Sequence, residues 1–407
     1  MKTQSIIIGG GLAGLACASK MQQEKHEFLV IEKSDRLGGR VGSIYEDKFI
    51  FDVGFQVYNT AYSNTNSLLD LNEIDLKFFK PGARVHDGKY FQIISDPMRD
   101  LGQLLSSLFS SLSSFSDKIK ILLLKYELSN YSIDNDHQED CSTFEYLQGK
   151  GFSDKIIDLF FRPFFAGIFL EKKIKTSSKF FKYVFSNFSR GLAALPSNGM
   201  QAIPDFISKN IRDDLIMYNS RVIRIKDNNS IVLDNSEEIK ADTIILTGDS
   251  HELLGNKPTR YNSVTNLYFS SSIIPEFGSY IHLFPKDEMI NSVAFLSSIS
   301  TAYSPTSKSL ISVSVLGLHD SKILENSIQK KLSKYFGGSK QEYDLIKSFE
   351  LKKATIKQPA NYFSNNLITS QKNIIVAGDH MTNGSIDGAV ISGLNAYKHI
   401  KNLNRSK

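Results

Sequence analysis

Gly9-Gly10-Gly11-Leu12-Ala13-Gly14 puts glycine at all three positions of the G-x-G-x-x-G pattern. Residues of that type at that spacing cradle a diphosphate. Gly9 permits a tight turn and Gly11 lets the backbone approach the anion. Gly14 lets the next helix pack closely, aiming free N–H groups and its dipole at the charge. Leu12 and Ala13, in the first turn of that helix, complete the cradle. Glu32 follows 18 residues beyond Gly14, where a carboxylate accepts hydrogen bonds from both hydroxyls of a nucleotide ribose. Lys33 stands beside it.

These residues need elements to hold them. Ile6-Ile7-Ile8 is the β-branched run of a buried parallel strand, and Leu12, Leu15, Ala16 and Ser19 carry helical spacing onward. Phe28-Leu29-Val30-Ile31 is a second strand that delivers Glu32. The same stretch imitates a secretion signal, with Met1-Lys2, an apolar run and Ala16-Cys17-Ala18 before Ser19. Cleavage there would discard the strand–turn–helix unit, so the nucleotide reading is kept. The chain is read as cytoplasmic, with a peripheral position on the inner membrane face held open.

Directly after Glu32 come Arg36-Leu37-Gly38-Gly39-Arg40. Adjacent glycines let a backbone pass close to a cofactor, and fixed guanidinium groups offset diphosphate charge. Near the other end lie Ile374-Ile375-Val376-Ala377-Gly378-Asp379 and Gly384-Ser385-Ile386-Asp387-Gly388-Ala389-Val390. They read as a strand, an acidic turn and the start of a last helix. Together these blocks resemble the flavin-containing amine oxidoreductase superfamily, which includes monoamine oxidases, protoporphyrinogen oxidases and phytoene desaturases.

The resemblance implies FAD, held non-covalently. It assigns Gly9, Gly11, Leu12, Ala13, Gly14, Glu32, Lys33, Arg36, Gly38, Gly39 and Arg40 to its nucleotide and pyrophosphate, with Gly378 and Asp379 at the ribityl or pyrophosphate region. Ser385, Ile386 and Ala389 would present helix N-terminal N–H groups to the flavin's pyrimidine edge. Phe51-Asp52-Val53-Gly54-Phe55-Gln56 resembles the segment that passes the ring, bringing in Gly54, Phe55 and Gln56. Val222 corresponds to the valine whose backbone meets adenine. The catalytic residue stays unassigned, with His380, Gln56 and Arg162 as candidates.

The nucleotide elements fall in residues 1–60, 197–255 and 365–407, so the chain leaves and re-enters one domain twice. Residues 61–196 and 256–364 then form a substrate domain, the first piece mostly helical and the second a sheet with a helix near 321–336. A helix is expected from Leu101 through the serine-rich run, capped by Asp96-Pro97. The fold class is α/β, a Rossmann-like FAD-binding domain interleaved with an α+β substrate domain.

Composition agrees with two domains. The 407 residues carry 48 basic and 43 acidic side chains, a formal charge of +5. That surplus is too small to argue for nucleic acid, and no nucleic-acid partner is expected. Two cysteines exclude a disulfide scaffold and a four-cysteine zinc site, and no metal is expected. Neither lies in the last third, which argues against cysteinyl flavin attachment.

Residues 144–188 hold thirteen of the 45 aromatics, where an overall 11% would give about five. This segment, with Arg162-Pro163-Phe164-Phe165-Ala166-Gly167-Ile168-Phe169 at its centre, resembles the corresponding part of phytoene desaturases and protoporphyrinogen oxidases. It reads as the wall of a pocket for an apolar, planar or polyene-like small molecule; single aromatics at helical spacing also read as core. Lys172, Lys173, Lys175, Lys179 and Lys182 interleave with Phe180, Phe181 and Phe185. They read either as a peripheral membrane contact or as a solvated helix face.

The expected activity is FAD-dependent dehydrogenation, desaturation or oxidation. A hydride leaves a substrate C–H bond for flavin N5, and oxygen or a quinone serves as second acceptor. Two alternatives stay open: an amine or polyamine oxidase, and a non-catalytic lipid or protein carrier on the same fold. Ser385 stands where amine oxidases of this family place an aromatic, and the chain has no tryptophan.

Overall fold

The computed structural model of the protein describes residues 2–95, 114–227, 229–304, 307–365 and 373–405. The helix expected from Leu101, with its Asp96-Pro97 cap, lies outside the described residues.

The β-branched runs assemble first. Five parallel strands stand in the order Ile216–Met217, Phe28–Ile31, Lys2–Ile8, Glu238–Thr247 and Ile374–Ala377. An antiparallel hairpin, Val222–Lys226 and Ser230–Leu233, pairs with the first half of Glu238–Thr247. Side chains alternate between two apolar layers, as a strand buried on both faces requires. Ile7, Val30, Ile245 and Ile375 face the layer that holds Leu15 and Ala16 of the first helix, Leu12–Gln23, and Val390 of the last, Ile386–Arg405. Ile6, Leu29, Ile244 and Ile374 face the hairpin's Ile231 and Leu233.

A second sheet runs in the order Tyr343–Ile356, Tyr261–Ser271, Ser309–Leu316, Ser292–Phe295, Ile281–Leu283, Gly82–His86 and Phe91–Ser95. One face, with Phe269, Val293, Ile311 and Val313, packs on Leu324, Ile328 and Leu332 of the helix Ser321–Phe336. The other face looks toward the first sheet.

Residues 61–196 carry strands as well as the expected helices. Gly82–His86 and Phe91–Ser95 complete the second sheet, and Tyr58–Asn59, Leu76–Phe78 and Ala193–Pro196 form a small sheet of their own. These strands are too short to show a clear period of two, and Gly82–His86 takes its place by parallel pairing with Ile281–Leu283, about 200 residues away. Helices fill the rest of the described piece, among them Phe115–Glu127, Arg162–Phe169 and Ser178–Arg190. No described helix is long and apolar enough to cross a membrane.

Asp52 joins the parts. It is 1% exposed and ends the strand Phe49–Asp52. Its carboxylate accepts hydrogen bonds from the Ser43 hydroxyl (2.6 Å), the Met200 N–H (2.9 Å) and the Tyr303 hydroxyl (2.7 Å). Tyr268 of the second sheet donates to its backbone carbonyl at 2.9 Å. Burial pushes the carboxyl up to about 6, and the three donors oppose that rise without cancelling it. A folded value above the ordinary 3.8 means this group's stabilisation is present at low pH and is lost as pH rises through about 6. Asp52→Asn removes that loss. The variant is expected to gain roughly 2–3 kcal/mol on the parent chain between pH 4 and 7.5. Thermal unfolding of both proteins across that range checks it; a gap that stays constant would show that Asp52 does not titrate there.

Candidate functional site

Parallel sheets bind ligands at the carboxyl ends of their strands, and here three strands end alike. Lys2–Ile8, Glu238–Thr247 and Ile374–Ala377 each run into a glycine of positive φ: Gly9 at 104°, Gly248 at 56° and Gly378 at 145°. The Thr247 hydroxyl donates to the carbonyls of Ile8 (2.8 Å) and Gly9 (3.1 Å), tying two strand ends together. Gly14 packs so close beneath Gly9 that a Cβ on it would lie 2.1 Å from the Gly9 carbonyl oxygen. The helix Leu12–Gln23 therefore starts directly over the strand end.

One cavity of about 990 Å³ opens there and continues into the second sheet's side of the molecule. Its nucleotide end is lined by Gly9, Gly11, Leu12 and Ala13, then by Glu32, Lys33 and Arg36. Gly38, Gly39 and Arg40 line the next stretch, with Gly54, Phe55 and Gln56 beyond them. Gly378 and Asp379 approach from the third strand, and Ser385, Ile386 and Ala389 from the last helix. Pieces of sequence more than 300 residues apart thus share one wall. Gly14 sits behind this wall. Val222 faces the apolar layer under the hairpin and is not among the cavity-lining residues.

The polar groups are locally organised. Glu32 is 5% exposed, and its carboxylate accepts from the Gly10 N–H at 2.6 Å and from the Ser34 N–H and hydroxyl at 2.9 and 2.7 Å. Arg36 is a loop clamp, donating to the carbonyls of Gly39 (2.9 Å) and Val41 (3.2 Å) and to Gln201 (3.2 Å). Arg40 pairs with Asp379 at 2.5 Å and lies 5.3 Å from the Tyr261 ring centre. Ser385 caps the last helix, its hydroxyl oxygen accepting from the Gly388 N–H at 2.9 Å. That leaves the first N–H groups of the helix directed outward, at the positive end of its dipole.

The three catalytic candidates separate. Gln56 lines the cavity; its Nε2 donates to the carbonyls of Val53 (2.8 Å) and Arg40 (3.0 Å). Its Oε1 is buried with no partner. His380 lies behind the Gly378–Asp379 turn, its ring stacked on His251 at 4.7 Å. Burial pushes its imidazole down to about 4, with Asp379 opposing, so it is neutral at neutral pH. Arg162 pairs with Asp158 at 2.9 Å and covers the Phe144 ring at 5.1 Å, away from the cavity. Helical i,i+4 spacing gives it a local partner instead of a ligand.

Beyond the ring-side loop the wall turns aromatic. Phe160 and Phe164 stack at 5.6 Å, Phe164 meets Phe188 edge-on at 5.4 Å, and all three line the cavity with Phe180 and Phe185. Phe161 and Phe181, by contrast, are wholly buried core. A π-helical stretch at Ile157–Phe161 leads into Arg162–Phe169. The lysine stretch divides. Lys182 is buried in an ion pair with Asp136, and Phe180 and Phe181 are buried, whereas Lys172, Lys173 and Lys175 are exposed and Phe185 is half-buried.

Thr247, Gly248, Asp249, Tyr261 and Lys353 line the nucleotide end as well, and the sequence reading passed over them. Burial works against ionisation of Asp249, but donors from Lys353 and Tyr261 hold its carboxyl below the ordinary range. One signal existed: Thr247-Gly248-Asp249 follows its strand as Ala377-Gly378-Asp379 follows another.

The residues fit a flavin dinucleotide. A Cβ built on Gly11 or Gly248 meets nothing within 4 Å, so both glycines border open space along the anion path. The orphaned Gln56 Oε1 offers a buried acceptor where the ring-side loop meets the cavity. The family described as flavin containing amine oxidoreductase matches residues 12–400. A possible lysine-specific histone demethylase 1 of Drosophila melanogaster is 39% identical over 64 residues, 16% of this chain and 7% of that protein. Protoporphyrinogen oxidase 2 of Arabidopsis thaliana is 26% identical over 166 residues, 40% of this chain. The matched segments thus span less than a third of these relatives' own length, 7% and 31%. A double mutant of putrescine oxidase superposes with a TM-score of 0.74 at 16% identity over 99% of both chains, which shows the fold.

Gly11 has φ −73° and ψ 175°, a conformation any residue adopts. Gly11→Val is therefore expected to fold with an unfolding temperature within about 2 °C of the parent apoprotein. It should lose flavin affinity by roughly 100-fold or more, because its side chain fills the anion path. Flavin fluorescence titration beside circular dichroism reads both; a folded variant that still binds tightly would place the diphosphate elsewhere.

Proposed function

The chain belongs to the family of flavin-containing amine oxidoreductases, and on that premise we propose that it is an FAD-dependent oxidoreductase acting on a C–H bond of an apolar small molecule, elongated or planar. The observation that carries the reading is the single cavity, with glycine turns, Glu32 and the Arg40–Asp379 pair at one end and a phenylalanine wall at the other. Both ends belong to one continuous cavity, so substrate and cofactor can meet in it.

The protein's own groups hold, orient and exclude. Backbone N–H groups beyond Gly9 and Gly11 and the guanidinium of Arg40 hold the diphosphate. Glu32, fixed by Gly10 and Ser34, presents its remaining acceptor capacity to the ribose. The first turn of Ile386–Arg405 favours negative charge at the ring's pyrimidine edge. Gln56 and Phe55 line the cavity between its two ends and would border the flavin ring, and the phenylalanines would shield the reacting carbon from water. Bound flavin supplies two-electron acceptance, chemistry that no side chain here provides. Oxygen or a quinone is the proposed second acceptor.

The charge distribution favours this reading over amine oxidation. The described acidic residues on the wall are Glu32, Asp249 and Asp379, all at the nucleotide end. Among the described residues, a protonated polyamine in the aromatic half would meet no carboxylate, an expensive arrangement for a buried cation.

Purified protein reconstituted with FAD is expected to be yellow. Its visible band should bleach anaerobically with polyene or other fused apolar substrates, and remain with putrescine or spermidine. Bleaching by the polyamines alone would reverse the order of the two activities. A protein that stays colourless would remove the enzyme reading altogether.

A further inference from the structure

The substrate half is lined by phenylalanines from its helices and by aliphatic side chains of the second sheet such as Ile281, Leu283 and Leu351. Two serines on neighbouring strands of that sheet interrupt the apolar lining. Along Ser309–Leu316 the odd positions Ile311, Val313 and Val315 face the helix Ser321–Phe336, and the even position Ser314 lines the cavity. In the next strand Val293 and Phe295 face that helix, and Ser292 lines the cavity. Ser292 and Ser314 pair directly across the two strands, which puts their side chains about 5 Å apart on one face. On the far side of Ser314 its cross-strand partner is Asn266.

Asn266 fixes the orientation of the row. It is fully buried, and its Oδ1 accepts from the hydroxyls of Ser312 (3.2 Å) and Ser314 (3.1 Å). Ser314 has therefore spent its proton on the protein and faces the cavity as an acceptor. Ser292 is 3% exposed, and its hydroxyl has no hydrogen-bond partner among the described residues, so it can donate. An acceptor and a donor side by side, on a wall whose neighbours Ile281 and Leu283 are apolar, match a ligand group that both donates and accepts. A hydrocarbon laid over them would leave Ser292 desolvated and unpaired, which costs affinity.

We propose that Ser292 and Ser314 read a hydroxyl group on an apolar substrate, the ligand donating to Ser314 and accepting from Ser292. The substrate class becomes an apolar alcohol. This rests on the apolar-substrate reading above and narrows it.

Farnesol and farnesene share a fifteen-carbon skeleton and differ in the hydroxyl. Each is titrated into FAD-reconstituted protein in matched detergent, with binding read by calorimetry and by the flavin band. Farnesol is expected to bind about ten-fold tighter or more. In Ser292→Ala/Ser314→Ala, and independently in Ser292→Val, that preference should fall to about two-fold or less, with farnesene binding retained. Equal affinity in the parent protein, a preference that survives both variants, or no binding of either compound overturns the proposal. Calorimetry does not depend on colour. Protein that takes up no flavin therefore fails the oxidoreductase reading while the serine row is still decided by the farnesol-to-farnesene ratio.

Discussion

The side chain of Asp52 takes hydrogen bonds from Ser43, Met200 and Tyr303, groups from three stretches of chain that meet only on folding. Its own carbonyl takes one from Tyr268 in the second sheet. Two residues on, Gly54 begins the loop that borders the cavity between its charged and aromatic ends. The position of that loop relative to the second sheet and to the segment at Met200 is thus set by one buried acid and its donors. Burying it is costly, as its raised proton affinity records. The gain is one fixed relation among pieces of chain that are far apart in sequence.

Around that joint the cavity is divided by charge. At the nucleotide end each acidic side chain has a partner: Glu32 its backbone N–H groups, Asp379 the guanidinium of Arg40, and Asp249 the ammonium of Lys353. Paired in this way, the groups tolerate partial burial and stay where a diphosphate needs them. At the other end the phenylalanines of two helices face a sheet that contributes aliphatic side chains and the two serines Ser292 and Ser314. Strand alternation places the serines there: Ile311, Val313 and Val315 pack with the helix Ser321–Phe336, so Ser314 takes the opposite face.

The nucleotide end was the more legible part, because its chemistry lies in short runs whose order is local. A strand, three glycines, a helix and an acid are contiguous in residues 6–32, and Ala377-Gly378-Asp379 is contiguous with its strand. His380 and Arg162 show the limit of such reading. Proximity in sequence to Asp379 and to the phenylalanines suggested roles, but a one-residue step turns His380 onto His251, and helical spacing gives Arg162 to Asp158. The strands at Gly82–His86 and Phe91–Ser95 were illegible because their pairing partners are remote.

The sequence by itself determined the glycine turns at one end of the cavity and the elements that carry them, since turn geometry, strand burial and helix starts are decided by neighbours a few positions apart. Tertiary structure decided what faces what. It selected Phe160, Phe164 and Phe188 for the cavity and Phe161 and Phe181 for the core, though all are the same residue type in one region. It turned Lys182 inward to Asp136 and aligned Ser292 with Ser314. Which face of a helix or strand is covered depends on the element packed against it, and that element comes from elsewhere in the chain.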